Sequence, residues 1–225
     1  MARAKDRVLD VETPQGPSRF YLADADSPSA LLIMGHGAGG GVDAVDLSVL
    51  ASRLPDHGIT VARFEQPWRT AGKKVAGRPP VLDIAWNAAI PTLLTKFAGV
   101  PYFFGGRSAG ARVACRTAPG FADLRGVVCC AFPLHPPGRP DRSRAEELLG
   151  AGMPRLVIQG ERDTFGGPDE VAAVIMRDEP IMIVPVPGAD HSMRTAKSAP
   201  ITPAEVRDLI TDSVIDFVDQ ARTAR

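Results

Sequence analysis

A serine stands at the centre of a glycine-flanked pentapeptide, Gly-x-Ser-x-Gly, at residues 106–110. The apolar run at 101–104 predicts a strand before it, and residues 108–117 predict a helix after it. A serine on such a tight turn has a strained backbone, and the flanking glycines let neighbouring backbone approach. The helix N-terminus favours developing negative charge. The pattern therefore predicts Ser108 as a nucleophile; an incidental serine in a tight turn is the alternative.

Four histidines are candidates for the general base that a serine hydroxyl needs. His191 follows the last predicted strand, which is where the chain order serine, aspartate, histidine places the base. His57 is predicted at the surface, and His36 is predicted to brace a glycine-rich loop as a neutral imidazole. His135 follows another strand and could border the site. We therefore predict His191 as the base, with a solvated loop histidine as the alternative.

A carboxylate must orient the base, and three acidic residues lie near the predicted turns. Asp163 lies a few residues beyond the strand at 155–159, the usual position of the acid in this chain order. Glu161 is too close to the strand end. Asp190 cannot easily bend back to the ring of its neighbour, His191, and is expected to bond within its own loop. The sequence therefore predicts Asp163 as the acid.

The glycine-rich segment 35–41 after the first buried strand offers backbone amides for an oxyanion. We expect the amide of Ala109, directly after the nucleophile, to act with one amide of this segment. Ala38 is the favoured second donor and Gly39 is the alternative. The small side chains of the segment would let a substrate approach the backbone.

The same segment also fits Gly-x-Gly-x-x-Gly, the pattern of dinucleotide-binding loops. In those loops a helix begins inside the motif, whereas here the next predicted helix begins near Asp46. Dinucleotide-binding proteins also need an acidic residue that hydrogen-bonds the ribose. Glu65, at the end of the next strand, precedes a proline-containing loop and is poorly placed for that role. The dinucleotide interpretation is therefore disfavoured.

The elements that must position these residues alternate along the chain. An N-terminal β-hairpin is followed by strands and helices in turn, which predicts a mainly parallel sheet with helices on both faces. We expect a three-layer α/β/α sandwich forming one domain over residues 1–225. Only residues 133–152 separate two successive strands where related folds insert a cap, so no cap domain is expected. The predicted strands are 8–12, 19–23, 30–34, 59–64, 101–104, 126–132, 155–159 and 181–186, and the predicted helices 46–57, 82–98, 108–117, 143–149, 168–176 and 202–221.

A predicted loop at 65–80 follows a strand and is expected to border the site. Its Trp68 and Arg69, with Arg107 beside the serine, could favour an acidic or carboxylated ester. A solvated basic loop with Trp68 as a packing anchor is the favoured alternative. Further possible substrate contacts are His36, Gly39 and His135.

Composition sets further bounds on the 225-residue chain. Lysine plus arginine and aspartate plus glutamate both number 26, and this balance argues against bulk electrostatic binding of nucleic acid. No apolar run is long enough to span a membrane, and the charged N-terminus lacks a signal-peptide core. The chain has three cysteines, an odd number, and two of them are adjacent in an apolar run, so a disulfide bond is not expected. Reduced thiols favour a cytoplasmic protein. Scattered histidines predict no metal or cofactor, and a monomer or homodimer is expected.

Five motifs in order resemble those of compact α/β-hydrolases known as dienelactone-hydrolase-like or testis-expressed-protein-like. The likeness runs from about residue 30 to the C-terminal helix and is carried by residues 35–40, 105–112, 132–138, 159–166 and 188–192. It implies an α/β-hydrolase fold with Ser108 as nucleophile, Asp163 as acid and His191 as base. Dienelactone hydrolases themselves use a cysteine where this chain has Ser108, so their substrate is not implied.

These residues together predict a serine hydrolase for a small ester or thioester, acting through an acyl-enzyme. A shallow site without a cap disfavours long-chain lipids. Peptidase or acyltransferase chemistry could use the same residues. A non-catalytic binding or scaffold protein on the same fold is the alternative from another class, since a fold does not determine a function.

Overall fold

The computed structural model describes residues 6–176 and 178–223. They form eight strands and seven α-helices. The first two strands make an N-terminal hairpin, and strands and helices follow in turn. The strands are β1 (Arg7–Thr13), β2 (Gly16–Ala23), β3 (Ala30–Gly35), β4 (Ile59–Glu65), β5 (Tyr102–Arg107), β6 (Leu124–Cys130), β7 (Arg155–Gly160) and β8 (Ile181–Val186). The helices are α1 (Val45–Arg53), α2 (Pro67–Thr70), α3 (Pro79–Lys96), α4 (Ala109–Thr117), α5 (Ala145–Leu149), α6 (Pro168–Ala173) and α7 (Pro203–Thr223).

All eight strands form one sheet in the order β1-β2-β4-β3-β5-β6-β7-β8. The hairpin β1–β2 is antiparallel and β2 pairs antiparallel with β4, while every later neighbour is parallel. The predicted mainly parallel sheet with an N-terminal hairpin is confirmed. In this register Gly35 lies beside Gly106, and Arg107 lies beside Cys130. The strand ends that carry the candidate site residues therefore meet at one edge.

Two apolar cores cover the two faces of the sheet. Successive residues of a strand point to opposite faces, so Phe104 packs with Trp86 of α3 while Phe103 packs near Phe217 of α7. Helices α3 to α6 contribute to the first core, and α1 and α7 to the second. The predicted three-layer sandwich is confirmed.

The segment 65–80 is more regular than the sequence predicted. It contains the short helix α2, and α3 begins at Pro79. Both helices have proline in their first turn, where a backbone N–H would have no partner within the helix, so its absence loses no hydrogen bond. Helix α3 continues through Pro91, which is exposed, so the hydrogen bond that this proline forgoes faces solvent.

Other element ends shift by a few residues. The predicted helix 46–57 ends as an α-helix at Arg53 and continues as a 3₁₀ turn containing Pro55. The C-terminal helix begins with a reciprocal cap, because Thr202 and Glu205 each accept the other's backbone N–H.

Only α5 lies between β6 and β7, so the fold has no cap domain there. Within residues 6–176 and 178–223, no helix has the length and apolar character to cross a bilayer.

Candidate active site

Ser108 occupies a strained turn between β5 and α4. Its φ is 53° and its ψ is −111°, a conformation rarely adopted by residues other than glycine. The Ser108 N–H donates to the Cys130 carbonyl oxygen at 3.0 Å, and this bond anchors the turn on β6. The turn places Ser108 as the cap residue before Ala109, at the positive end of the helix dipole.

Glycines on both sides of the serine are required by close backbone contacts. A Cβ atom at Gly106 would lie 2.4 Å from the carbonyl carbon of Gly110. A Cβ atom at Gly110 would lie 2.1 Å from the carbonyl oxygen of Gly35. The helix therefore packs against β3 and β5 at a distance that only glycine permits.

Ser108, His191 and Asp163 form a continuous chain of hydrogen bonds. The Ser108 Oγ lies 3.0 Å from His191 Nε2, and His191 Nδ1 lies 2.8 Å from Asp163 Oδ2. Since an ionised carboxylate only accepts, Nδ1 carries the proton and Nε2 is left to accept from the serine hydroxyl. The structure thus brings together the predicted nucleophile, base and acid in the required order.

The Asp163 carboxylate is wholly buried and held by two further donors. Gln159 Nε2 donates to Oδ2 at 3.0 Å, and the Phe165 N–H donates to Oδ1 at 2.8 Å. The Phe165 ring stacks on the His191 ring, with centroids 4.1 Å apart. These contacts fix both the carboxylate and the plane of the imidazole.

The neighbouring carboxylate of Asp190 stays within its own loop. Its Oδ1 accepts the N–H groups of Ser192 and Arg194 at 2.8 and 3.0 Å. It thereby shapes the turn that presents His191, as the sequence indicated.

The guanidinium group of Arg107 is engaged by two groups of the protein. Its Nη2 donates to the His191 carbonyl oxygen at 2.7 Å, and its Nε forms an ion pair with Asp46 Oδ2 at 3.2 Å. Asp46 lies at the start of α1 and is fully buried. Burial raises the pKa of the Asp46 carboxyl group, and the Arg107 cation opposes that shift. The structure therefore makes Arg107 a brace between α1 and the histidine loop.

The glycine-rich loop is held from behind by His36. The ring Nδ1–H donates to the Gly37 carbonyl oxygen at 2.9 Å, and Nε2 accepts the Gln66 N–H at 3.2 Å. This pair of bonds requires the neutral imidazole, and burial accordingly lowers the pKa of His36. The predicted neutral brace has this geometry, with the Trp68 ring against it at 5.4 Å.

A narrow pocket of about 10 Å³, partly open to solvent, lies next to the serine turn. Ala38 and Ala109, the two residues whose amides were predicted to bind an oxyanion, both line it. Neither of their N–H groups hydrogen-bonds within the part of the chain that the structure describes. The full lining is Gly35, His36, Gly37, Ala38, Gln66, Trp68, Ala76, Leu82, Ala109, Gly110 and Val113.

Besides Arg107, three of the possible substrate contacts do not line this pocket. Gly39 is exposed, and Arg69 is exposed and lies beside Gly41. His135 instead bonds the Pro136 carbonyl oxygen at 2.9 Å and Glu170 at 3.0 Å. Two acceptors require a protonated ring, and the Pro136 carbonyl and the Glu170 carboxylate raise the pKa of His135.

Sequence reasoning missed Gln66, Gln159 and Asp46. The two glutamines lie at or just beyond the ends of β4 and β7, so the rule that sites follow strand ends could have found them. Asp46 carries no such signal, because it lies in the first turn of a helix.

The geometry gives no support to a dinucleotide or metal site. Helix α1 begins at Val45, well after the glycine-rich segment. Among the described residues no group of three or more histidine, cysteine, aspartate or glutamate side chains could hold a metal ion.

The chain belongs to the α/β-hydrolase domain family, whose model matches residues 28–219. Solved structures with the same fold cover nearly the whole chain. A serine hydrolase homologue from Coxiella burnetii is 16% identical, with a TM-score of 0.72 over 95% of this chain and 100% of its own. A serine hydrolase without a lid from Xanthomonas campestris is 20% identical, with a TM-score of 0.72 over 96% and 97%. A thermostable carboxyl esterase from Bacillus coagulans is 13% identical, with a TM-score of 0.76 over 98% and 100%.

Proposed function

We propose that this α/β-hydrolase is a serine hydrolase that cleaves a carboxylic ester, or a thioester, of a small molecule. The observation that carries the proposal is the chain of hydrogen bonds from Ser108 through His191 to Asp163, starting at a strained turn. A structural serine has no need of a strained backbone conformation and an oriented base.

The proposed reaction begins when His191 Nε2 takes the proton of the Ser108 hydroxyl. The serine Oγ attacks the carbonyl carbon, and the amides of Ala38 and Ala109 stabilise the oxyanion. His191 then protonates the leaving alcohol or thiol as the acyl-enzyme forms. A water molecule, deprotonated by His191, releases the carboxylic acid and restores the serine. Asp163 stabilises the imidazolium that forms in each half of the reaction.

Two structural features support a small substrate. The pocket beside the serine turn is narrow and partly open, and only the short helix α5 lies between β6 and β7. A site with so little enclosing surface buries little of a long acyl chain.

The finer classification is also part of the proposal. The five motifs favour the dienelactone-hydrolase-like or testis-expressed-protein-like group, with a serine in place of the cysteine. Three free, buried cysteines support the expected cytoplasmic location. The balance of 26 basic and 26 acidic residues argues against a nucleic-acid partner. A monomer or homodimer without a membrane partner is part of the same proposal.

Replacing the nucleophile tests the proposal. Ser108→Ala should lower kcat for a short para-nitrophenyl ester by at least about 10⁴-fold, because the covalent step is lost. Ser213→Ala is the matched control, since that hydroxyl only donates to the Leu209 carbonyl oxygen within α7. Undiminished turnover in Ser108→Ala would refute the mechanism and favour a binding protein.

A further inference from the structure

The loop that presents His191 has a strained backbone. Met193 has a φ of 55°, in the left-handed region that residues with a side chain rarely adopt, and it is buried. Such a conformation persists only where surrounding contacts hold it. Within the loop, the Asp190 carboxylate accepts the N–H groups of Ser192 and Arg194. Contacts that fix this loop therefore also fix the position of the imidazole.

Arg107 supplies such a contact from outside the loop. Its Nη2 donates to the His191 carbonyl oxygen at 2.7 Å, the short length of a charge-assisted hydrogen bond. That oxygen belongs to the planar peptide group between His191 and Ser192, so the bond restrains the main chain next to the imidazole. Arg107 is also the last residue of β5 and directly precedes Ser108. One side chain therefore connects the turn of the nucleophile with the backbone of the base.

The same guanidinium group lies close to the glycine-rich loop. A Cβ atom at Gly37 would lie 3.1 Å from Arg107 Nη1, a separation tighter than ordinary van der Waals contact. Gly37 directly precedes Ala38, whose amide is proposed to hold the oxyanion. A displacement of the guanidinium group would therefore reach both loops that flank Ser108.

Asp46 restrains the direction of the guanidinium group. Its side chain is fully buried at the start of α1, and its Oδ2 lies 3.2 Å from Arg107 Nε. Its Oδ1 accepts the Leu47 N–H at 2.9 Å, which holds the carboxylate in place. Within residues 6–176 and 178–223 no other cation forms an ion pair with Asp46. The planar fork of arginine serves two partners at once, which a lysine ammonium on a flexible stem does not reproduce.

We propose that Arg107, held by Asp46, is a positioning residue that keeps the His191 loop and the glycine-rich loop in their catalytic geometry. The inference rests on the proposed function. Neither side chain of the pair exchanges a proton with the substrate; the pair acts through the backbone of the two loops. Since a misplacement of about 1 Å can cost about 10²-fold in rate, loss of the pair lowers kcat more than it changes KM.

Arg107→Lys keeps a cation near Asp46 but loses the fork. For a short para-nitrophenyl ester, kcat should fall at least about tenfold while KM changes by less than about threefold. Arg155→Lys is the matched control, because Arg155 is also buried and joins a carboxylate, Glu179, to backbone carbonyl groups. It lies at the start of β7, the strand end opposite the site, so kcat should stay within about twofold. An equal fall of kcat in the two variants would overturn the proposal.

A double variant separates positioning from stability. Arg107→Met with Asp46→Leu should recover part of the unfolding free energy that Arg107→Met loses, because neither charge is left buried alone. Its kcat should remain at least about tenfold below that of the unmodified protein, because the bond to the His191 carbonyl oxygen is still absent. Full recovery of kcat together with stability would show that the pair acts on folding alone, and would refute the proposal.

Hydrogen exchange measured by mass spectrometry tests the positioning without a substrate. The Asp190 N–H donates to the Arg194 carbonyl oxygen and the Met193 N–H to the Asp190 carbonyl oxygen, both at 2.9 Å, so these amides report opening of the loop. They should exchange at least about tenfold faster in Arg107→Lys and at an unchanged rate in Arg155→Lys. Faster exchange, with no esterase activity in the unmodified protein, would support the brace on the His191 loop and refute the proposed function. Unchanged exchange in Arg107→Lys would overturn the positioning role whatever the activity.

Discussion

The two sides of Ser108 are built from opposite kinds of interaction. On one side, ionised groups hold the histidine loop: Asp163 is wholly buried against His191, and Arg107 ties the same loop to buried Asp46. On the other side, no ionised side chain is among the residues that line the pocket, and His36 braces the glycine-rich loop as an uncharged ring. Ion pairs thus fix the histidine loop, whereas hydrogen bonds of an uncharged imidazole fix the glycine-rich loop.

The pKa values of two histidines shift in opposite directions on the two sides. Burial lowers the pKa of His36 on the neutral side. The Pro136 carbonyl and the Glu170 carboxylate raise the pKa of His135, whose backbone N–H supports Phe165 beneath His191. The same residue type therefore stays neutral in one loop and is favoured as a cation in the other.

The largest effect on the charged side should come from Asp163→Asn. The amide can no longer hold the required tautomer of His191, so kcat should fall by roughly 10³- to 10⁴-fold with little change in KM. Steady-state kinetics with a short ester measure this. Asp190→Asn is the matched control, because its remaining side-chain oxygen can still accept the loop amides. Equal losses in the two variants would show that the loop, rather than the Asp163 carboxylate, sets the rate.

Breaking the buried ion pair should destabilise the fold. Arg107→Met leaves Asp46 buried without its cation, and such losses cost about 3 kcal/mol. Chemical denaturation measures the free energy of unfolding. Arg7→Met is the control, since Arg7 and Asp24 form an exposed pair worth less than about 1 kcal/mol.

Removing both charges sharpens the same test. Arg107→Met combined with Asp46→Leu should recover part of the lost stability, because neither charge is left buried alone. If the unfolding free energy of the double variant falls by the sum of the losses in the two single variants, the two side chains are not coupled and the ion pair is contradicted.

The smallest expected effect is the pH dependence of stability. Because the folded-state pKa of His36 is depressed, its contribution is present above about pH 6.5 and is lost as the pH falls through the folded pKa. For His135 the folded-state pKa is raised, so its contribution is present below about pH 6.5 and is lost as the pH rises through the folded pKa. His36→Asn and His135→Asn should therefore change the slope of unfolding free energy against pH with opposite signs, each by at most about 1.4 kcal/mol per pH unit. Slopes of the same sign in His36→Asn and His135→Asn would contradict the contrast between the two loops.

Much of the fold followed from local patterns. Apolar runs predicted the six strands from β3 to β8, because a sheet covered on both faces produces continuous apolar segments. Alternating residues predicted the two strands of the hairpin. The positions of Ser108, Asp163 and His191 could also be predicted, since each follows the end of a strand and parallel strands bring those ends together.

The direction of individual side chains could not be predicted in the same way. Arg107 was considered for substrate binding because it adjoins Ser108, but its orientation depends on Asp46, a buried carboxylate on a distant helix. The helical start at Pro67 and the inward position of Gln66 depend on packing against α3, which no local pattern reveals.

The most direct test of the account is to label the protein with a fluorophosphonate and map the modified residue by mass spectrometry. Such a probe reacts with a serine only when a base and an oxyanion site activate it. We expect one stoichiometric adduct on Ser108, no adduct in Ser108→Ala, and strongly slowed labelling in Asp163→Asn. An unlabelled protein, or an adduct on another residue at the same rate, would contradict it.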